Sequence, residues 1–124
     1  MFFLSLRAYV SLLALEPYLL SKNFAGLRNK VTTCPLKTST QDERTLERIC
    51  EAVNQACVWY WKRVLCLQRS AVTVCLLKQH GLSAQMVIGA QSVPFRAHAW
   101  VEFAGRVVND KGNLRETYTV LDYC

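Results

Sequence analysis

Apolar and polar positions change rhythm along this chain near residue 80. Before it, apolar residues recur at three- and four-residue spacing. After it, they fall into short runs and alternations. Residues 2–16 are densely apolar, with Phe2, Leu6, Val10 and Leu13, and read as a helix that Pro17 stops. A second short helix is read over 18–29. Residues 31–41, with Thr32, Thr33 and Pro35, mark a linker. Thr40 and Glu43 have the spacing of a capping box, which predicts a helix from there to about Arg63. Its apolar stripe is Leu46, Ile49, Cys50, Val53, Cys57 and Tyr60. The next helix is predicted over Cys66–His80, with Gly81 as the left-handed residue that ends it. It is apolar enough to be the central helix.

Strands follow. Ala84–Ala90 holds the buried run Met86-Val87-Ile88. Phe95–Phe103 alternates, with Arg96, His98, Trp100 and Glu102 on one face and Ala97, Ala99, Val101 and Phe103 on the other. Ala104-Gly105 turns the chain, Arg106–Asp110 returns, and Tyr118–Leu121 forms a last strand. Helices first and antiparallel strands after them predict an α+β fold. The division expected is an apolar helical arm and linker over 1–41 and a core over 42–124.

Composition narrows the function classes. At 124 residues, 52% hydrophobic and 19% charged, the chain suits one folded domain and excludes disorder. The net charge is +6, but Lys and Arg are spread along the chain with no basic stripe interleaved with aromatics, so nucleic-acid binding is not expected. In the N-terminal run Arg7 lies inside the apolar stretch and Glu16-Pro17 interrupts it. That argues against a signal peptide and a spanning helix, and for a helix packed on the domain or a partner, with no membrane association expected. Six cysteines fit either a disulfide framework or reduced thiols. Cys50, Cys57 and Cys75 fall in helix-like apolar patterns, which favours reduced thiols in a cytoplasmic protein. There is no CxxC pair and there are two histidines, so no metal site and no cofactor is expected.

Three residues carry candidate chemistry. Cys66 opens a helix, His98 lies on a strand, and Asp110 follows on the return strand. A thiol attacks as thiolate, and the unpaired N–H groups of a helix start stabilise that anion. His98 is placed to move the proton and Asp110 to orient the imidazole. The hairpin sets a condition. A two-residue turn at Ala104-Gly105 pairs Phe103 with Arg106 and leaves Asp110 opposite Ala99, on the wrong face. A three-residue loop or a bulge sets Asp110 opposite His98. Each residue also has a plainer reading. Cys66 is then an inert thiol, His98 a satisfied strand residue and Asp110 a turn residue before Lys111-Gly112, with Glu102 as the other candidate partner. Arg69 and Lys78 read as a solvated face, and His80 as a cation at a helix end. Spacing alone leaves enzyme and non-enzyme open.

Taken together, Cys66-Leu67-Gln68-Arg69-Ser70, Leu76 to Ala84, Val87-Ile88-Gly89, Phe95 to Glu102 and Gly105 to Asp110 resemble one family in order and spacing. It is that of the transglutaminase-like cysteine proteases that mature lasso peptides in bacteria, the leader peptidases related to microcin-processing proteins. The resemblance implies a papain-like, transglutaminase-like core and catalytic roles for Cys66, His98 and Asp110. It implies cleavage of the leader from a ribosomally made precursor peptide through a thioester. It also implies a separate leader-binding protein of the winged-helix recognition type, and a cyclase resembling asparagine synthetase that acts afterwards. Trp61 and Gln68 are candidates for a side-chain oxyanion donor. The alternatives are a scaffold module of the same fold without chemistry, an acyl transferase with an amine acceptor, and a disulfide-rich secreted domain.

Overall fold

The computed structural model describes residues 2–21, 24–34, 43–61, 64–92, 95–104, 106–108 and 118–123. Among them, four helices precede four strands: α1 Phe2–Leu20, α2 Phe24–Thr33, α3 Glu43–Trp59, α4 Cys66–Gln79, β1 Gln85–Ser92, β2 Phe95–Phe103, β3 Arg106–Val107 and β4 Thr119–Tyr123. The strands form one antiparallel sheet in the order β3-β2-β1-β4. This is the α+β arrangement that the change of rhythm predicts.

α4 is the centre of the packing. Gln68, the run Ser70–Val74, Leu76 and Leu77 are all buried, so it is enclosed on nearly every side. Ser70 Oγ donates to the Ala99 carbonyl at 3.1 Å and ties α4 to β2. α3 presents Leu46, Ile49, Val53 and Ala56 to the core at helical spacing. α1 adds Ala8, Leu12 and Leu15, and α2 adds Leu27 and Val31, to the same core. Removing such side chains from water contributes about 1.5–3 kcal/mol each for the larger ones. None of the described helices is long and apolar enough to cross a membrane.

Several details differ from the sequence expectation. α1 runs through Pro17 to Leu20 rather than stopping before it. Pro17 gives up its own N–H bond and crowds the Leu13 carbonyl one turn back, yet α1 continues through it for three residues. α3 ends at Trp59, and Tyr60 turns inward to donate its hydroxyl to Glu16 Oε1 at 2.7 Å. The Thr40 cap lies outside the described residues. Cys34 and Cys75 form a disulfide with Cα atoms 5.7 Å apart, so the expectation of reduced thiols fails at this pair. The packing of α2 beside α4 brings these two within bridging distance. Lys78 is not on a solvated face: it is half-buried, and its Nζ donates to the Val31 carbonyl at 3.0 Å.

Candidate active site

Cys66 is the first residue of α4. Leu65 precedes it with extended backbone (φ −77°, ψ 153°) and has no side-chain atom that could cap the helix. The helix therefore opens without a side-chain cap from Leu65, on a half-buried thiol. Cys66 stands between two cavities, each of about 560 Å³. One lies between α2, the start of α4 and strands β1 and β2, and His98 also borders it. The other is lined by Asn54, Cys57, Val58, Val64 and Arg69.

His98 is half-buried on β2, and its ring sits in an aromatic stack. The Trp100 ring is 6.0 Å away at 27° and the Tyr118 ring 5.5 Å away at 26°. Trp100 is fully buried, and its Nε1 donates to Glu102 Oε2 at 2.9 Å. Gly89 makes the stack possible. It pairs with His98 across the sheet, and a Cβ there would lie 2.7 Å from Trp100 Cη2 and 2.9 Å from Tyr118 Cβ. Cys66 and His98 thus border one cavity, while the imidazole packs in a triangle with Trp100 and Tyr118, whose own rings lie 6.0 Å apart, on the face of β2 opposite Ala97 and Ala99.

The third candidate is different. Asp110 lies outside the described residues. β2 and β3 pair Phe103 with Arg106 and Glu102 with Val107, and the Val108 N–H donates to the Val101 carbonyl at 3.0 Å. The hairpin therefore has a two-residue turn, and the three-residue loop is ruled out. Its first central residue, Ala104, takes φ 53°, the left-handed conformation that two-residue hairpin turns need for their twist to match the strands. A bulge after Val108, the other way to bring Asp110 onto the face of His98, falls outside the described residues. Glu102 does not replace Asp110 as the direct partner. It is four residues along the same strand from His98, about 13 Å at the usual rise, with Trp100 between them.

The two oxyanion candidates also separate. Gln68 is fully buried, and its Nε2 donates to the Leu12 carbonyl at 2.9 Å and Glu16 Oε1 at 3.0 Å, which excludes it. Trp61 is exposed and packs on Tyr60, with ring centroids 6.0 Å apart. Burial pushes the Tyr60 phenol up from its usual range, and the neighbouring Glu16 carboxylate adds to that.

Sequence reasoning missed Arg69. It was read as a solvated face, yet it borders a cavity beside Cys66, one helical turn on. Its charge acts on both neighbouring thiols of α3. Burial raises Cys50 to about 11, and raises Cys57 as well, while Arg69 pulls each part of the way back. These two therefore stay neutral thiols near neutral pH. An arginine three positions after a cysteine at a helix start was the available signal. His80 matches its reading as a helix-end residue. Its Nδ1 lies 2.9 Å from the Leu76 carbonyl, which can only accept, so that nitrogen carries the proton.

Residues 10–122 match the model of the transglutaminase-like superfamily, and the chain belongs to that superfamily. It is also similar to the microcin J25-processing protein McjB of Escherichia coli, 38% identical over 56 residues. The match covers 45% of this chain and 27% of that relative, so the shared stretch is a minor part of the relative's length. No solved structure matches the chain significantly.

Proposed function

We propose that this member of the transglutaminase-like superfamily is a cytoplasmic cysteine peptidase that removes the leader from a ribosomally made lasso-peptide precursor. The observation that carries the proposal is Cys66 at an uncapped helix start, bordering one cavity with His98. The similarity to a microcin-processing protein supports the substrate class.

In this mechanism Cys66 Sγ attacks the scissile carbonyl, and the N–H groups of the first turn of α4 stabilise the oxyanion. The peptide C–N bond breaks, and His98 delivers a proton to the departing amine. His98 then takes a proton from water, which hydrolyses the thioester and restores the thiol. Packing against Trp100 and Tyr118 restrains the imidazole. Asp110 orients His98, which requires the register to shift by one residue beyond Val108 so that Asp110 shares the face of His98. The leader is presented by a winged-helix recognition protein, and the asparagine-synthetase-like cyclase takes the freed core. Exposed Trp59 and Trp61, 80% and 64% accessible, support a docking role for this end of α3.

The test is incubation of precursor and recognition protein with this chain, read by mass spectrometry. Two fragments that sum to the precursor plus water are expected, and an amine adduct would instead mark an acyl transferase. Cys66→Ala is expected to lower the rate by about 10³-fold or more. Cleavage that survives this substitution removes Cys66 as the nucleophile and with it the proposal, and no cleavage by the unsubstituted chain leaves the scaffold reading.

A further inference from the structure

A carboxyl group lies inside the core, and the peptidase mechanism does not use it. Glu16 of α1 is buried, and so are Tyr60 and Gln68 beside it. Glu16 Oε1 accepts from the Tyr60 hydroxyl at 2.7 Å and from Gln68 Nε2 at 3.0 Å. Gln68 Nε2 also donates to the Leu12 carbonyl at 2.9 Å. Tyr9, Leu12 and Glu16 fall on one stripe of α1, and the Tyr9 ring packs on Tyr60 with centroids 5.3 Å apart. A buried carboxylate gives up its hydration, a cost that leucine in its place would not carry. The chain between its two partners gives the carboxylate a use. Cys66 lies there, six positions after Tyr60 and two before Gln68. Gln68 is the third residue of α4, where a glutamine side chain commonly folds back to the N–H of the residue before the helix. Here α1 takes the amide instead.

We propose that Glu16 is a positioning residue for Cys66: one carboxylate oxygen grips the chain on both sides of the nucleophile and sets the first turn of α4 against α1. The assignment rests on the peptidase reading. Tyr60 fixes where the chain leaves α3, and Gln68 fixes how the first turn of α4 is rotated. With the grip gone, packing alone holds the thiol and the N–H groups of that turn, and a displacement of about 1 Å costs about 10²-fold in rate. α1 then belongs to the framework of the active site and is not an arm beside it.

The test compares Glu16→Leu, Glu16→Gln, Tyr60→Phe and Gln68→Met in the full chain. Precursor cleavage with the recognition protein present gives kcat and KM, and denaturant titration identifies conditions in which each variant is folded. Glu16→Leu, Tyr60→Phe and Gln68→Met are expected to lower kcat at least about tenfold while KM moves less than about twofold. Glu16→Gln keeps an acceptor oxygen for both donors and is expected to stay within about threefold of the unsubstituted chain in kcat. Tyr60→Phe added to Glu16→Leu should slow the reaction no further, because both remove one contact. Unchanged kcat in a folded Glu16→Leu would overturn the positioning role and spare the peptidase. If Glu16→Leu does not fold, Tyr60→Phe and Gln68→Met decide, since each removes donors and keeps the apolar bulk, and unchanged kcat in both overturns the role. Glu16→Gln as slow as Glu16→Leu overturns it too, because the acceptor oxygen would then not be what matters. No cleavage by the unsubstituted chain, with Cys66 inert to iodoacetamide, overturns the peptidase reading, and the positioning role falls with it.

Discussion

The two ends of α4 are built in opposite ways. At the C-terminal end the His80 N–H donates to the carbonyls of Leu76 and Leu77, and its ring Nδ1–H donates to Leu76 again. Gly81 turns the chain at φ 88°, and the Leu82 N–H returns to the Leu77 carbonyl at 2.8 Å. Cys75 is bridged to Cys34, and Lys78 is bound to Val31 close by. At the N-terminal end Leu65 provides no cap, and Cys66 opens the helix between two cavities. One end closes its hydrogen bonds and fastens the helix to α2. The other starts after Leu65, whose side chain gives no cap, and carries Cys66 as its first residue. The contrast teaches that one helix can be fastened at one end and left open at the other. A cap worth about 1 kcal/mol is forgone at the end that carries Cys66.

The largest expected break in this contrast is at the fastened end. Cys34→Ser opens a cross-link spanning 41 residues and is expected to lower stability by about 2–4 kcal/mol in denaturant titration without reductant. The alkylation rate of Cys66 should stay as it was. A loss of Cys66 reactivity in the folded variant would mean that the two ends are coupled. The smaller effect is at the open end. Leu65→Ser supplies a hydroxyl that accepts from the N–H of Leu67 or Gln68. It should raise stability by about 1 kcal/mol while slowing Cys66 alkylation. A gain in stability with unchanged Cys66 reactivity would show that those N–H groups do not support the thiolate.

The helices and the main strands were legible because their signals are local. β2 is found at Phe95–Phe103, as its alternation predicts, and Gly81 ends α4 by the conformation that glycine favours. What was not legible depends on partners far apart in sequence. The Cys34–Cys75 bridge and the burial of Arg69 and Lys78 follow from how α2 and α3 lie against α4, which no periodicity encodes. Gln68 reads as a polar helix residue, and only the packing of α1 over it reveals a buried amide committed to Leu12 and Glu16. The hairpin turned on one residue of register. The sequence left a two-residue turn and a three-residue loop open, and the structure has the two-residue turn, with Ala104 left-handed. At the candidate site, Cys66 and His98 were readable as residue types in order. The stack of Trp100 and Tyr118 around His98 depends on the gap at Gly89 and was not.

The most direct test of the open helix end is thiol alkylation of the folded protein across pH 5–9, with every cysteine mapped. Burial disfavours the thiolate at Cys50, raised to about 11, and at Cys57, so both should stay slow over the whole range. The account predicts that Cys66 is modified first, already at the acidic end, and that His98→Ala removes its lead. Cys66 reacting no faster than an unfolded thiol, or behind Cys50 and Cys57, would contradict it.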